Sequence, residues 1–145
     1  MRALRFALSF ALTMGVASAL RAQACTVDTS PIRFGVVDLD RINHARGRIA
    51  IECTAATTVS ITITGSAGGS QRAMVGPNGA RLYYELFSSL WELTIWGDGQ
   101  GRGSPVSVSV PAGERVERTV YAVLPAQPGA PAGEYSDQLL VVVDF

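Results

Sequence analysis

In the run Val59-Ser60-Ile61-Thr62-Ile63-Thr64 every second residue is apolar and β-branched, and the residues between are small and hydroxylated. A period of two lines the apolar side chains along one face of an extended strand, whereas a helix would spread them around its whole circumference. The pattern returns in Arg48-Ile49-Ala50-Ile51-Glu52-Cys53 and in Val106-Ser107-Val108-Ser109-Val110. After Pro111-Ala112-Gly113, a turn, Val116, Arg118, Val120 and Ala122 alternate with Glu117, Thr119, Tyr121 and Val123, which predicts a hairpin with the run before it. Residues 82–87 and 93–96 are two further short runs, bounded by Gly76-Pro77-Asn78-Gly79 before and Gly97-Asp98-Gly99-Gln100-Gly101 after. Half-buried strands punctuated by turns, with no sustained helical period after residue 24, predict an all-β antiparallel sandwich or barrel. The Pro- and Gly-rich residues 125–133 read as a connection between strands.

Leu139-Leu140-Val141-Val142-Val143-Asp144-Phe145 breaks the alternation, because it is apolar at both parities. Such a strand either lies deep in a sheet between two neighbours or presents an edge that a partner must occupy.

The first residues have a different character. Arg2 and Arg5 precede an apolar stretch over residues 6–16, and Ala22-Gln23-Ala24 is a small-residue cleavage site, which together read as a secretory signal peptide over residues 1–24, with an earlier cut after Ala17-Ser18-Ala19 or a lipoprotein anchor at Cys25 as the alternatives. The apolar stretch is shorter than the roughly 20 residues that span a bilayer. All 12 basic residues of the 145-residue chain are arginine, balanced by 12 acidic ones. Removing Arg2, Arg5 and Arg21 leaves a single domain, residues 25–145, with a net charge of about −3. Without a basic cluster, nucleic acid is not an expected partner. Export makes the two cysteines interpretable: in an oxidising compartment Cys25 and Cys53 pair with each other, closing a loop of about 28 residues worth roughly 3 kcal/mol.

Residues able to do chemistry are sparse. His44 stands in a polar stretch expected to be an exposed loop, with no second ligand or nucleophile close in sequence. Asp38, Asp40 and Asp98 lack the spacing of an EF-hand loop. Residues 97–103 resemble a phosphate loop only in their glycines, since Arg102 occupies the sixth position and a strand follows. Ser104, Ser107 and Ser109 have no nucleophile-elbow context. No catalytic residue, metal site, cofactor or small-molecule substrate is expected, and the chain reads as a non-enzyme. Trp91, Trp96, Tyr83, Tyr84 and Tyr121 leave open a sugar-stacking platform, although aromatic residues in strands usually fill the core or its rim.

Taken in order, several strings are similar to one family. They are Cys25-Thr26-Val27, Phe34-Gly35, Gly47-Arg48-Ile49-Ala50-Ile51-Glu52-Cys53, Arg72-Ala73-Met74, Leu82-Tyr83-Tyr84-Glu85-Leu86-Phe87, Trp96-Gly97-Asp98-Gly99, Tyr121-Ala122-Val123-Leu124-Pro125-Ala126-Gln127 and Gly133-Glu134-Tyr135-Ser136-Asp137. Over residues 25–145 the chain resembles the spore coat protein U domain family, which includes subunits of archaic, Csu-type chaperone-usher pili. The resemblance implies an immunoglobulin-like antiparallel β-sandwich lacking its last strand and carrying one disulfide. It also implies a subunit exported to the periplasm, held by a periplasmic chaperone, passed to an outer-membrane usher, and completed in a surface pilus by a strand from a neighbouring subunit. The partner-strand groove would then involve Leu139, Leu140, Val141, Val142, Val143 and Phe145.

One departure bears on assembly. Polymerising subunits of this kind carry an alternating donor segment before the first cysteine, and cleavage next to Cys25 leaves none. The expectation is an acceptor that does not donate, placed at the tip of a fibre. The competing functions are a coat or envelope protein built on the same domain without a fibre, and a secreted carbohydrate-binding module.

Overall fold

The structure is a computed structural model that describes residues 22–65, 71–91 and 94–145. The greater part of the expected signal peptide, and Leu93, lie outside the described residues. Among these residues the chain forms eight strands: β1 Cys25–Ser30, β2 Asn43–Cys53, β3 Thr57–Gly65, β4 Arg72–Val75, β5 Arg81–Phe87, β6 Val106–Val110, β7 Arg115–Leu124 and β8 Leu139–Asp144. They build a five-stranded sheet in the order β1-β2-β7-β5-β4, and a three-stranded sheet in the order β6-β3-β8. All these pairings are antiparallel. The two sheets face each other as an immunoglobulin-like sandwich.

The alternation read from the sequence decides which faces meet. Ile49, Ile51 and Cys53 of β2, Val59, Ile61 and Ile63 of β3, Val108 and Val110 of β6, and Val120, Ala122 and Leu124 of β7 share one buried core. Their neighbours at the other parity face outward. On the five-stranded sheet these carry ion pairs, Arg115 to Asp28 at 2.8 Å and Arg48 to Glu117 at 3.0 Å. Cys25 and Cys53 stand opposite each other in the β1–β2 ladder and are joined by the disulfide.

Two local expectations are corrected. The runs 106–110 and 115–124 do not form a hairpin, because β6 pairs with β3 in one sheet and β7 with β2 in the other. The turn between them is drawn to β2: Ala112 bridges Cys53, and the Gly113 amide donates to the Cys53 carbonyl at 2.8 Å. The chain therefore arches from sheet to sheet, which lets both runs put their apolar face into the same core. His44 lies in β2 rather than in a loop, with its side chain exposed.

Candidate functional site

The sandwich is not filled along one side. A cleft of ≈ 1500 Å³ runs between the sheets. Ile49, Leu82, Tyr84, Val120 and Leu124 line it from the five-stranded sheet, and Ile63, Leu139 and Val141 from the three-stranded sheet. Residues 31–39 and residues 130–137 form its lips.

Each lip has a local cause. In residues 31–39 the apolar Ile32, Phe34, Val37 and Leu39 pack half-buried against the core, although this stretch joins no strand. Gly47 permits its approach, since a Cβ there would stand 2.6 Å from the Ile32 Cγ1. Phe34 meets the Tyr84 ring edge-on at a centroid distance of 6.4 Å. The other lip is tied to β4 through two backbone hydrogen bonds between Val75 and Ser136, at 2.8 and 3.1 Å. The Tyr135 ring of that lip lies directly against Gly76, where any side chain would collide with it. Gln127 links the first lip to β5, its backbone amide donating to the Leu39 carbonyl at 2.9 Å. Beyond the end of β7 its side-chain amide accepts from the Tyr83 amide and donates to the Tyr83 carbonyl, each at 2.8 Å, so that one side chain extends the ladder.

Inside the cleft the Tyr84 hydroxyl donates to the Asp137 carboxylate at 2.7 Å. Burial, reinforced by this hydrogen bond, pushes the Tyr84 phenol above the usual tyrosine range. The cleft is otherwise mainly apolar, and among the described residues no group of three or more His, Cys, Asp or Glu is placed to hold a metal ion.

The edge of the cleft is β8. It pairs with β3 from Leu139 to Asp144, and β3 is its one strand partner among the described residues. Its opposite edge is a row of backbone donors and acceptors open to a further strand. Of the six groove residues expected from the sequence, Leu139 and Val141 line the cleft. Val143 points inward with them and packs on the core. Leu140, 62% exposed, and Val142 face outward, and Phe145 is exposed at the end of the strand.

The aromatic residues do not gather into a platform. Trp96 is fully buried and donates its indole N–H to the Ile61 carbonyl at 3.0 Å. Tyr84 belongs to the cleft, Tyr121 lies under the Arg46 guanidinium at 5.4 Å, and Trp91 is 78% exposed on a loop. Asp98 accepts from the Gln100 and Gly101 amides of its own turn, which hold its carboxyl below the usual carboxylate range.

Two features went unassigned in the sequence. One is the role of residues 31–39 as a lip. The other is a buried ionic cluster in which Arg72 pairs with Glu85 at 2.5 Å and Glu85 also accepts from Arg102. Its signal was present as a charge beside one apolar run and a charge inside another, Arg72 before Ala73-Met74-Val75 and Glu85 between Tyr84 and Leu86.

These features define a disulfide-bonded β-sandwich with an apolar cleft along an open strand edge. The chain belongs to the Spore Coat Protein U domain family, whose pattern matches residues 11–142. No curated protein matches the chain. Among solved structures it is similar to a chain of the CsuC-CsuE chaperone-tip adhesion subunit pre-assembly complex from archaic chaperone-usher Csu pili of Acinetobacter baumannii, with 21% identity and a TM-score of 0.60. That alignment covers 85% of this chain but 40% of the other, so the likeness is to part of a longer protein. A chain of the chaperone-tip adhesin complex of CFA/I fimbriae aligns at 11% identity and a TM-score of 0.36 over 75% of this chain and 38% of that one, too distant for any argument.

Proposed function

We propose that the protein is a structural subunit of a chaperone-usher surface pilus, and that its cleft accepts a β-strand from a partner. The observation that carries this is the coincidence of an open edge on β8 with an apolar cleft beside it, in a member of this family. An added strand would bond its backbone to β8 and seat alternate side chains between the sheets, which is strand addition with affinity from the main chain and specificity from the pockets. A periplasmic chaperone would fill the cleft first. The usher and the neighbouring subunit would follow, and no catalytic step is required of the chain.

Residues 1–24 serve this function as an export signal, and the Cys25–Cys53 disulfide suits the oxidising compartment that export reaches. Mass spectrometry of the exported protein tests the cleavage.

The parity of β8 provides the central experiment. The chain is co-expressed in the periplasm with a chaperone of the chaperone-usher class, and the complex is isolated. Val141→Asp, which puts a charge into the cleft, is expected to abolish the complex, while Val142→Asp on the outer face leaves it intact. Equal capture of both variants, or a native chain recovered as a stable monomer that ignores the chaperone, would overturn the reading.

A further inference from the structure

The ionic cluster found between the sheets stands at a break in the five-stranded sheet. Along one edge of β5, β4 pairs with residues 81–84, and Ile95 and Trp96 take over at Phe87 and Leu86. Glu85 falls where the two partners meet, and Arg72, the first residue of β4, fills the gap. Its guanidinium donates to Glu85 Oε1 at 2.5 Å, to the Trp96 carbonyl at 2.6 Å and to the Ile63 carbonyl at 2.7 Å. The last bond crosses to the other sheet.

There it answers a second break. β6 accompanies β3 only as far as Ile61, so the stretch of β3 beyond it has β8 on one side and, among the described residues, no strand on the other. Arg72 supplies a donor to Ile63, as the Trp96 indole does to Ile61. One end of this connection is a wall of the cleft, and the other adjoins the opposite wall. Ile63 lines the cleft and stands opposite Val141 in the β3–β8 ladder, while Tyr84 lines it and stands opposite Arg72 in the β4–β5 ladder. One planar side chain thus sets the distance between the strands that carry the two walls.

We propose that the Arg72–Glu85 pair is a positioning device for the partner strand, holding the cleft at the width that strand needs, and that it matters for capture more than for the stability of the sandwich. The inference rests on the strand-acceptor reading. Its physical ground is that a buried ion pair adds little net stability, since removing two charges from water offsets their attraction, and an apolar pair of similar volume often does as well. Arg72 Nε is moreover buried without a hydrogen-bond partner, a further cost to stability. What an apolar pair lacks is directional reach: a guanidinium holds several acceptors in one fixed fork.

The test is the double variant Arg72→Met/Glu85→Leu in the full domain, with Arg72→Lys beside it. Arg102 loses its carboxylate in the double variant, but its side chain is 44% exposed and turns to water. Melting temperature, amide exchange at Leu140 and Val142, which stand opposite Thr64 and Thr62 in the β3–β8 ladder, and binding of a blocked peptide that alternates valine with threonine are measured on each. The double variant leaves the Ile63 and Trp96 carbonyls without their donor and is expected to stay folded with a lowered melting temperature, to exchange faster at Leu140 and Val142, and to bind the peptide at least about tenfold more weakly. Arg72→Lys, a point charge without the fork, is expected to weaken binding in the same way. Native exchange and native binding in a folded double variant would overturn the inference, as would a melting temperature so low that the pair is seen to hold the fold itself, or full binding by Arg72→Lys. If the native chain binds no such peptide, the strand-acceptor reading loses its support, and the exchange rates alone then decide whether the pair shapes β8.

Discussion

The two halves of strand β3 obey the same alternation and end in different surroundings. From Thr57 to Ile61 the strand lies beside β6, and its inward residues Val59 and Ile61 are fully buried together with Val108, Val110 and Trp96. From there to Gly65 β8 is its one strand neighbour among the described residues, and although Ile63 itself is buried, the inward residues around it, Met74, Leu139 and Val141, are only half-covered at the wall of the cleft. Both halves carry apolar, β-branched side chains at the same spacing. The contrast therefore comes from the number of strands and lips that close over each half, and an apolar face left half-covered is a site for a partner.

The largest test of that contrast is truncation on either side of it. Trp96→Ala empties the closed half and leaves the Ile61 carbonyl without its donor, and is expected to cost about 4 kcal/mol. Met74→Ala, at the half-covered wall, should cost about 1 kcal/mol, because water already reaches the site and little enclosed volume is created. Urea denaturation of both variants checks the difference, and equal losses would mean that the cleft is packed as tightly as the core.

The second test loosens a lip from a distance. β1 has β2 as its one strand partner among the described residues, and it leads directly into residues 31–39. Replacing both Cys25 and Cys53 by Ser should lower stability by about 3 kcal/mol. Hydrogen exchange in residues 31–39 should rise more than in β6 or β7. Thiol titration of the native protein should find no free cysteine. Uniform acceleration across the molecule would show that the bridge supports the whole sandwich rather than one lip.

A smaller effect concerns pH. The Tyr84 phenol is raised above its ordinary value by burial and by the bond to Asp137, so the folded state holds its proton more tightly than the unfolded chain does. Its stabilising contribution is complete below about pH 10, the ordinary tyrosine value, and declines as pH rises beyond it, because the unfolded chain then releases a proton that the folded chain keeps. Tyr84→Phe should cost about 1 kcal/mol at neutral pH and flatten the alkaline loss. Denaturation midpoints at neutral pH and above pH 10 read this directly. An unchanged alkaline slope would assign the loss to other groups.

Several strand positions were legible to within a residue or two, whereas the run 48–53 proved to be only the second half of β2, which begins at Asn43. Residues 106–110 are β6, residues 59–64 fall in β3, and residues 116–123 fall in β7. β4 escaped notice because four residues, one of them a buried arginine, give too short a pattern. The expected hairpin failed for a related reason: alternation and a turn are local, while the choice of sheet depends on which distant strand offers the better apolar face. For the same reason the six apolar residues at the chain's end read as one group, although the sheet divides the five within β8 by parity into inward Leu139, Val141 and Val143 and outward Leu140 and Val142, and Phe145 lies exposed beyond the strand.

From the sequence alone come the all-β class, the strands with strong alternation, the pairing of the only two cysteines and the family, because each depends on residue identity over short spans or on the order of short strings. Tertiary structure alone decides the sheet to which each strand belongs, the burial of Arg72 against Glu85, and the cleft between residues 31–39 and β8. All three are relations between residues far apart in the chain, and they are settled by how apolar faces, backbone edges and buried charges satisfy one another in three dimensions.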